Sequence, residues 1–141
     1  MAHAVALIDS GPLVAYYNRS DKWHARARKF FESFKGRLIL SEPVATEVMY
    51  LLDGDWRVQN EFLSDLHTEL YTLEPLKISD FAYIAKLNEK YKNLPGDFAD
   101  LCLVALSDRL SLLNVVSLDA DFDVYRNLGG KPFIQLFPKW K

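Results

Sequence analysis

The chain has 141 residues and a net charge of −2, and half of its residues are hydrophobic. This length and composition predict a single globular domain over residues 1–141 and exclude an intrinsically disordered chain. No apolar run approaches the roughly 20 residues that cross a bilayer, so we expect no membrane-spanning segment.

The first predicted element is a buried strand over Ala4–Ile8, an apolar run that stops at Asp9. Ser10 then suits the N-cap of a helix, because Pro12 follows it and proline is tolerated in a first turn. A second helix is predicted from about residue 21 to residue 33, and residues 37–40 are predicted as the second strand. The chain therefore opens with two strands separated by two helices.

The middle of the chain continues the alternation of helices and strands. Ser41 suits the N-cap of a third helix, in which apolar residues recur at helical spacing. Residues 55–66 are predicted as a fourth helix and residues 70–73 as a third strand. Ser79 suits the cap of a fifth helix that ends near Tyr91.

The last part of the chain begins at a break, Pro95-Gly96, and continues with a helix from Asp97 to about Leu110. Residues 114–118 are predicted as a fourth strand, and residues 131–137 are a candidate fifth strand. Strands that alternate with helices predict right-handed crossovers. We therefore expect a three-layer α/β/α sandwich around a mainly parallel sheet of four or five strands.

Four acidic residues occupy positions that this fold would bring together. Asp9 and Asp119 each follow a predicted strand, and Glu47 and Asp100 are expected in the first turns of helices that start from the same sheet edge. Converging carboxylates repel one another unless a cation lies between them, and Mg²⁺ prefers carboxylate oxygens. The pattern predicts a metal site suited to phosphodiester hydrolysis.

Two neighbouring acids leave alternatives open. Asp97 and Asp100 both suit the positive end of a helix dipole, and we expect Asp97 to cap the helix and Asp100 to bind the metal. After the fourth strand, Asp119 is the first choice for the ligand and Asp121 the second.

Other polar residues support narrower expectations. Ser10 and Ser117 can orient a carboxylate or a metal-bound water, although a local backbone hydrogen bond is the alternative for both. The histidines lack metal-ligand spacing, which argues against a histidine-pair ribonuclease; they are His3, His24 and His67. The lone Cys102 cannot form an internal disulfide, which favours a cytoplasmic protein.

Basic residues cluster early in the chain. All seven Lys and Arg residues of the first 40 lie between Arg19 and Arg37. We expect Arg19, Lys22 and Arg26 to hold an RNA phosphate backbone, with a solvated helix face as the alternative reading.

Four sequence blocks resemble the motifs of the PIN-domain nucleases. Residues 8–15 (IDSGPLVA) are similar to the opening motif, and residues 43–48 (PVATEV) match the second acid at Glu47. Residues 94–110 (LPGDFADLCLVALSDRL) resemble the third block with its acid at Asp100, and residues 117–122 (SLDADF) resemble the closing motif. The blocks cover nearly the whole chain in order, and within the family they look most like VapC-type toxins.

The resemblance implies a function that composition and spacing alone do not give. It implies endonucleolytic cleavage of RNA with Mg²⁺ or Mn²⁺, a homodimer, and a cognate antitoxin that fills the acidic cleft. The alternative is a PIN-like module that binds RNA or a protein without catalysis. A haloacid-dehalogenase-like phosphatase is disfavoured because Gly11 stands where that class needs a second aspartate.

Overall fold

The computed structural model describes residues 4–94 and 96–137; His3 and Pro95 of the sequence analysis lie outside them. Within these ranges five strands form one sheet, with six α-helices around it and a short 3-10 helix at Ala120–Asp123. The strands are β1 (Ala4–Ile8), β2 (Gly36–Leu40), β3 (Thr72–Leu73), β4 (Asn114–Val116) and β5 (Ile134–Gln135). The helices are α1 (Ser10–Tyr17), α2 (His24–Ser33), α3 (Glu42–Leu51), α4 (Trp56–His67), α5 (Asp80–Lys90) and α6 (Phe98–Arg109).

The strands lie in the order β3-β2-β1-β4-β5, and every neighbouring pair is parallel. The chain moves outward from β1 to β3 and then returns to the other side of β1 at β4. With right-handed crossovers, this order places α1 to α4 on one face and α5 and α6 on the other. The predicted three-layer sandwich with a five-stranded parallel sheet is confirmed.

The centre of the molecule is apolar on both faces of the sheet. Ala6, Leu7 and Ile8 of β1 are fully buried, as expected for a central parallel strand covered by helices. In α6 every residue from 99 to 107 is buried. This burial agrees with the sequence of the helix, which has apolar residues on all of its sides. Cys102 lies in this helix as a buried core residue. No helix in the described ranges has the length and apolarity to span a membrane.

Several predicted elements are shorter in the structure, among them the fourth strand, which ends at Val116 and not at residue 118. The second helix begins at His24, not at residue 21, because the Asp21 carboxylate accepts a hydrogen bond from the Trp23 N–H and forms a turn. The third strand is limited to Thr72–Leu73, since Glu69 has a positive φ of 61° and ends the preceding helix. The fifth strand is limited to Ile134–Gln135 at the sheet edge.

The predicted cap of α5 is also different. Ser79 has helical backbone angles and its side chain makes no capping hydrogen bond. Instead, the Asp80 carboxylate accepts a hydrogen bond of 2.8 Å from the Lys77 N–H. The turn before α5 is therefore closed by an aspartate one position later than predicted.

A buried ion cluster joins the end of α6 to the start of α5. The Arg109 guanidinium lies 3.1 Å from Asp80 and 3.1 Å from Glu74, and it donates a hydrogen bond of 2.8 Å to the Pro75 carbonyl. Only 19% of the Arg109 side chain and 7% of the Asp80 side chain are exposed. Each buried charge would therefore destabilise the fold if its partner were removed. The cluster ties the segment after β3 to both helices.

Candidate active site

The carboxyl ends of β1 and β4 meet at the point where the strand order reverses. Ile8 and Val116 are paired there, and the Asp9 N–H donates a hydrogen bond of 2.9 Å to the Val116 carbonyl. From β1 the chain proceeds to β2 on one side, whereas β4 lies on the other. In open parallel sheets such a switch point leaves a crevice in which ligands bind.

The Asp9 side chain is fixed in this crevice by hydrogen bonds from two residues. It is the N-cap of α1 with extended backbone angles, and its Oδ1 accepts a hydrogen bond of 2.8 Å from the Ser10 N–H. Its Oδ2 accepts a hydrogen bond of 3.1 Å from the Ser117 hydroxyl. The prediction that Ser10 caps this helix is wrong, because Ser10 is already its first helical residue.

The acid of the third block, Asp100, lies in the first turn of α6. Asp97 caps this helix as predicted, with its Oδ1 accepting a hydrogen bond of 2.8 Å from the Asp100 N–H. The Asp97 side chain is at the exposed end of the helix, whereas Asp100 is only 2% exposed. The cap thus fixes the first turn that carries Asp100 into the crevice.

Three carboxylates meet in the crevice. Asp9, Asp100 and Asp119 each offer an oxygen, and these oxygens lie within 4.8 Å of one another. In the described ranges Asp121 is not part of this group; its N–H instead donates to Asp119 Oδ1 at 2.9 Å. The geometry therefore brings the first acid of the closing block to the cluster, not the second.

Glu47 lies beside the three aspartates and is linked to them through Ser10. The Ser10 hydroxyl donates a hydrogen bond of 2.7 Å to Glu47 Oε1. Glu47 is the sixth residue of α3 and belongs to its second turn, not to the first turn as expected from the sequence. Its side chain is half-buried at the rim of the crevice.

Three of the acidic groups, Asp9, Asp100 and Glu47, have raised pKa values in the absence of a cation. Burial, with smaller contributions from Glu47 and Asp97, raises the pKa of Asp9 to about 7. Burial and the charges of Asp9, Asp97 and Asp119 raise the pKa of Asp100 to about 9. The pKa of Glu47 is raised by burial and by Asp97. Such shifts indicate that the site is built for a positive charge.

The donor set fits a hard divalent cation. All three ligand groups are carboxylates, and Mg²⁺ binds oxygen at 2.0–2.1 Å, so oxygens on opposite sides of the ion are about 4.2 Å apart. Oxygens on adjacent sides are about 2.9 Å apart. Three aspartate oxygens within 4.8 Å of one another are therefore near enough for rotation of their side chains to bring them onto one ion. Asp9, Asp100 and Asp119 are the residues that can hold the ion.

Two serine hydroxyls connect the acidic groups. Ser117 donates to Asp9 and accepts a hydrogen bond of 2.9 Å from the Asp119 N–H, so it joins the ends of β1 and β4. Ser10 donates to Glu47 through its hydroxyl and to Asp9 through its backbone N–H. Both serines contact the acids directly, beyond the local backbone bonds that were the alternative.

Two residues at the site were not identified from the sequence. Tyr125 donates a hydrogen bond of 3.2 Å to Asp100 Oδ2, and Gln135 Oε1 accepts hydrogen bonds from the Ser117 and Phe137 N–H groups at 3.0 and 3.1 Å. The Tyr125–Asp100 and Gln135–Ser117 contacts join residues 25 and 18 positions apart and follow no local spacing rule. The only available signal was the position of Tyr125 just behind the closing block.

The structure does not bring the basic residues to the acids. Arg19 and Lys22 are exposed in the connection after α1, and Lys22 and Arg26 lie over the Trp23 ring at 5.5 and 5.0 Å. Asp9 precedes the other end of α1, a helix of eight residues that is about 12 Å long. The basic residues lie past the far end of this helix.

A groove of about 490 Å³ opens beside the acids. Its lining includes Glu47 and Asp97 together with Phe81 and Phe98, whose rings are stacked with centroids 6.3 Å apart. Phe81 and Phe98 are both about half exposed. The groove therefore places an apolar wall beside Glu47 and Asp97.

Fold and site together define a class of protein: α/β/α sandwiches that gather cation-binding carboxylates at the switch point of a parallel sheet. The PIN domain family model matches residues 6–128, and the chain belongs to this family.

Comparisons with individual proteins agree with this assignment. Ribonuclease VapC26 of Mycobacterium tuberculosis is 27% identical over 130 residues, which cover 90% of this chain and 96% of the relative. The crystal structure of M. tuberculosis VapC20, described as a sarcin-ricin loop cleaving toxin, superposes with a TM-score of 0.82 at 18% identity. The match covers 96% of this chain and 100% of VapC20 and shows the shared fold. The predicted resemblance to PIN domains of the VapC type is confirmed.

Proposed function

We propose that this protein is an endoribonuclease that depends on Mg²⁺ or Mn²⁺ and is the toxin of a toxin–antitoxin pair. The observation that carries the proposal is the meeting of Asp9, Asp100 and Asp119, from three distant segments, within 4.8 Å at the switch point. The similarity to a curated VapC ribonuclease supports RNA as the substrate.

In this mechanism Asp9, Asp100 and Asp119 hold the cation, with Glu47 beside it. A bound divalent ion lowers the pKa of water and neutralises charge on a phosphodiester. Glu47 is held by Ser10 at 2.7 Å, and its raised pKa suits a group that accepts a proton from the attacking water. The burial of Asp9 and Asp100 strengthens electrostatic interactions at the reacting phosphate.

We propose an RNA-binding role for basic residues that lie away from the carboxylates. Arg19, Lys22 and Arg26 bind the phosphate backbone of RNA away from the cleavage point, which predicts that RNA affinity falls with salt. Residues 1–141 act as one nuclease domain in the cytoplasm, where the RNA substrate is found. The proposal also includes a homodimer and an antitoxin whose basic or polar segment enters the acidic cleft. The similarity to VapC proteins supports the antitoxin partner.

Mapping RNA 5′ ends after brief expression tests the proposal. We expect new 5′ ends with the wild-type protein and none with Asp9→Asn, which removes one ligand charge from a nearly isosteric side chain. Asp123→Asn is the matched control, because Asp123 is exposed and belongs to the closing block but not to the carboxylate group. Cleavage at the wild-type rate by Asp9→Asn would contradict the mechanism.

A calorimetric measurement separates the nuclease from a PIN-like binding module. We expect Mg²⁺ or Mn²⁺ to raise the unfolding temperature of the wild-type protein, because a ligand that binds only the folded state stabilises it. A protein that binds RNA and leaves it intact, without stabilisation by either ion, would favour the binding module.

A further inference from the structure

The Tyr125 hydroxyl is a buried polar group that the proposed mechanism has not used. Tyr125 is fully buried, and its hydroxyl donates to Asp100 Oδ2 at 3.2 Å. Burial and the neighbouring Asp100 raise the pKa of this phenol, so it remains protonated and acts as a donor. A buried phenol that lost this partner would have an unsatisfied hydroxyl.

The ring that carries this hydroxyl is held from several sides. Tyr91 packs edge-on against it with centroids 5.0 Å apart, and Phe122 does the same at 5.1 Å. Gly96 faces the hydroxyl so closely that a Cβ at this position would collide with it. The hydroxyl therefore has one position, and that position points at Asp100.

Asp100 needs an oriented neutral donor because its other close neighbours are acids. Asp9 and Asp119 lie on the cluster side of its carboxyl group and raise its pKa. The terminal torsion of an aspartate is broad and defines no single orientation by itself. The hydrogen bond from Tyr125 fixes that torsion, and with it the direction in which the Asp100 oxygens face the other two carboxylates.

We propose that Tyr125 is a positioning residue for the divalent cation: its hydroxyl orients Asp100 as a ligand and thereby raises the affinity of the site for the metal. The inference rests on the proposed function, because it requires that Asp100 binds a cation. Residues that orient metal ligands through hydrogen bonds commonly change metal affinity by 10- to 100-fold.

Titration of the metal-free protein with Mn²⁺ by isothermal calorimetry, without RNA, tests this role. We expect Tyr125→Phe to raise the Kd for Mn²⁺ by about 10-fold. Tyr83→Phe is the matched control: it removes a phenol oxygen whose pKa is likewise raised by burial and by a neighbouring aspartate, Asp108, outside the acidic cluster. We expect its Kd to equal that of the wild type, although both variants can lower the unfolding temperature.

Gly96→Ala provides a second route to the same hydroxyl. The added Cβ displaces the Tyr125 hydroxyl without removing it, so this variant should also bind Mn²⁺ more weakly, and it serves if Tyr125→Phe does not fold. If the wild type binds Mn²⁺ and the folded variants bind it equally well, the positioning role is wrong while the nuclease proposal stands. If the wild type itself binds no Mn²⁺, the proposed function is wrong and the inference is lost with it.

Discussion

Asp100 is a buried carboxyl group whose ionised form is strongly disfavoured in the metal-free protein. It is 2% exposed, its pKa is raised to about 9 by burial and by neighbouring acids, and Tyr125 is the neutral side chain that donates to it. Without a cation the folded state must either keep this group protonated or tolerate a buried charge. The residue is therefore costly to stability in the metal-free protein.

Replacing this carboxyl group should separate stability from function. We expect Asp100→Asn to increase the stability of the metal-free protein at pH 8 by about 1–3 kcal/mol, because the wild-type carboxyl group, with a pKa of about 9, must take up a proton on folding and an amide need not. The same variant should lose both stabilisation by Mg²⁺ and RNA cleavage. Urea unfolding with and without Mg²⁺ measures the first effect, and a metal-free variant less stable than the wild type would contradict it.

At the residue scale, the sequence identified acids more readily than their partners. Asp9 and Asp119 could be placed at one sheet edge because each follows an apolar strand. The choice between Asp9 and Ser10 as the cap of α1 could not be made from the sequence, since either residue suits an N-cap and only the backbone angles distinguish them. Tyr125 was missed because its contact with Asp100 depends on how the closing segment packs against α6.

Helix α6 connects packing to the site at the scale of one element. Its residues 99–107 are all buried, and its N-cap, Asp97, fixes the turn that carries Asp100. Asp97 also raises the pKa of Glu47 through a side-chain hydrogen bond and its charge. Asp97 therefore has two roles: it caps α6, and it raises the pKa of Glu47.

Two substitutions of Asp97 distinguish these roles. We expect Asp97→Ala to lower the stability by about 1 kcal/mol, because the Asp100 N–H loses its partner, whereas Asp97→Asn should keep the cap and the stability. Cleavage by Asp97→Asn should remain within a few-fold of the wild type if Asp97 is a cap and not a ligand. Guanidinium unfolding and an RNA cleavage assay measure the two effects, and loss of cleavage in Asp97→Asn would assign Asp97 to the metal.

The ion cluster at the other end of α6 gives a second prediction for this helix. We expect Arg109→Met to lower the stability by about 3 kcal/mol, because it leaves the buried Asp80 without its counter-charge. Arg57→Met is the control: the Arg57 and Asp55 side chains are 74% and 50% exposed, so breaking their 3.8 Å pair should change stability by less than about 0.5 kcal/mol. Similar losses in both variants would show that burial does not decide the strength of these pairs.

At the scale of elements, the sequence was most informative where packing is two-sided. The apolar runs of β1 and β4 were predicted as strands because central parallel strands are buried on both faces. The two edge strands were predicted too long, since each pairs with one neighbour only and the apolar pattern continues past the paired residues. The basic stretch of residues 19–37 could not be placed relative to the acids from sequence.

For the whole molecule, the raised pKa values of Asp9 and Asp100 predict how stability depends on pH. Both carboxyl groups bind a proton more tightly in the folded state than at the ordinary value of 3.8, with pKa values of about 7 and about 9. Their contribution to stability is therefore complete below about pH 4 and is lost as the pH rises towards 9. Asp80, whose pKa is lowered by Lys77 and Arg109 against the effect of burial, acts in the opposite direction and at lower pH.

Thermal unfolding between pH 5 and pH 9 measures this dependence. We expect the unfolding temperature of the metal-free protein to fall across this range. Saturating Mg²⁺ should reduce or reverse the fall, because the ion favours the ionised carboxylates. Identical pH profiles with and without Mg²⁺ would contradict the assignment of these acids to a cation site.

The bond between Ser117 and Asp9 joins residues 108 positions apart, and Asp119 lies further along the chain still. A growing polypeptide thus carries Asp9 and Glu47 long before the segment that completes the cluster has been synthesised. A chain that ends before Asp119 lacks one of the three carboxylates proposed to hold the cation. The proposed metal site can therefore form only after the closing segment has been synthesised.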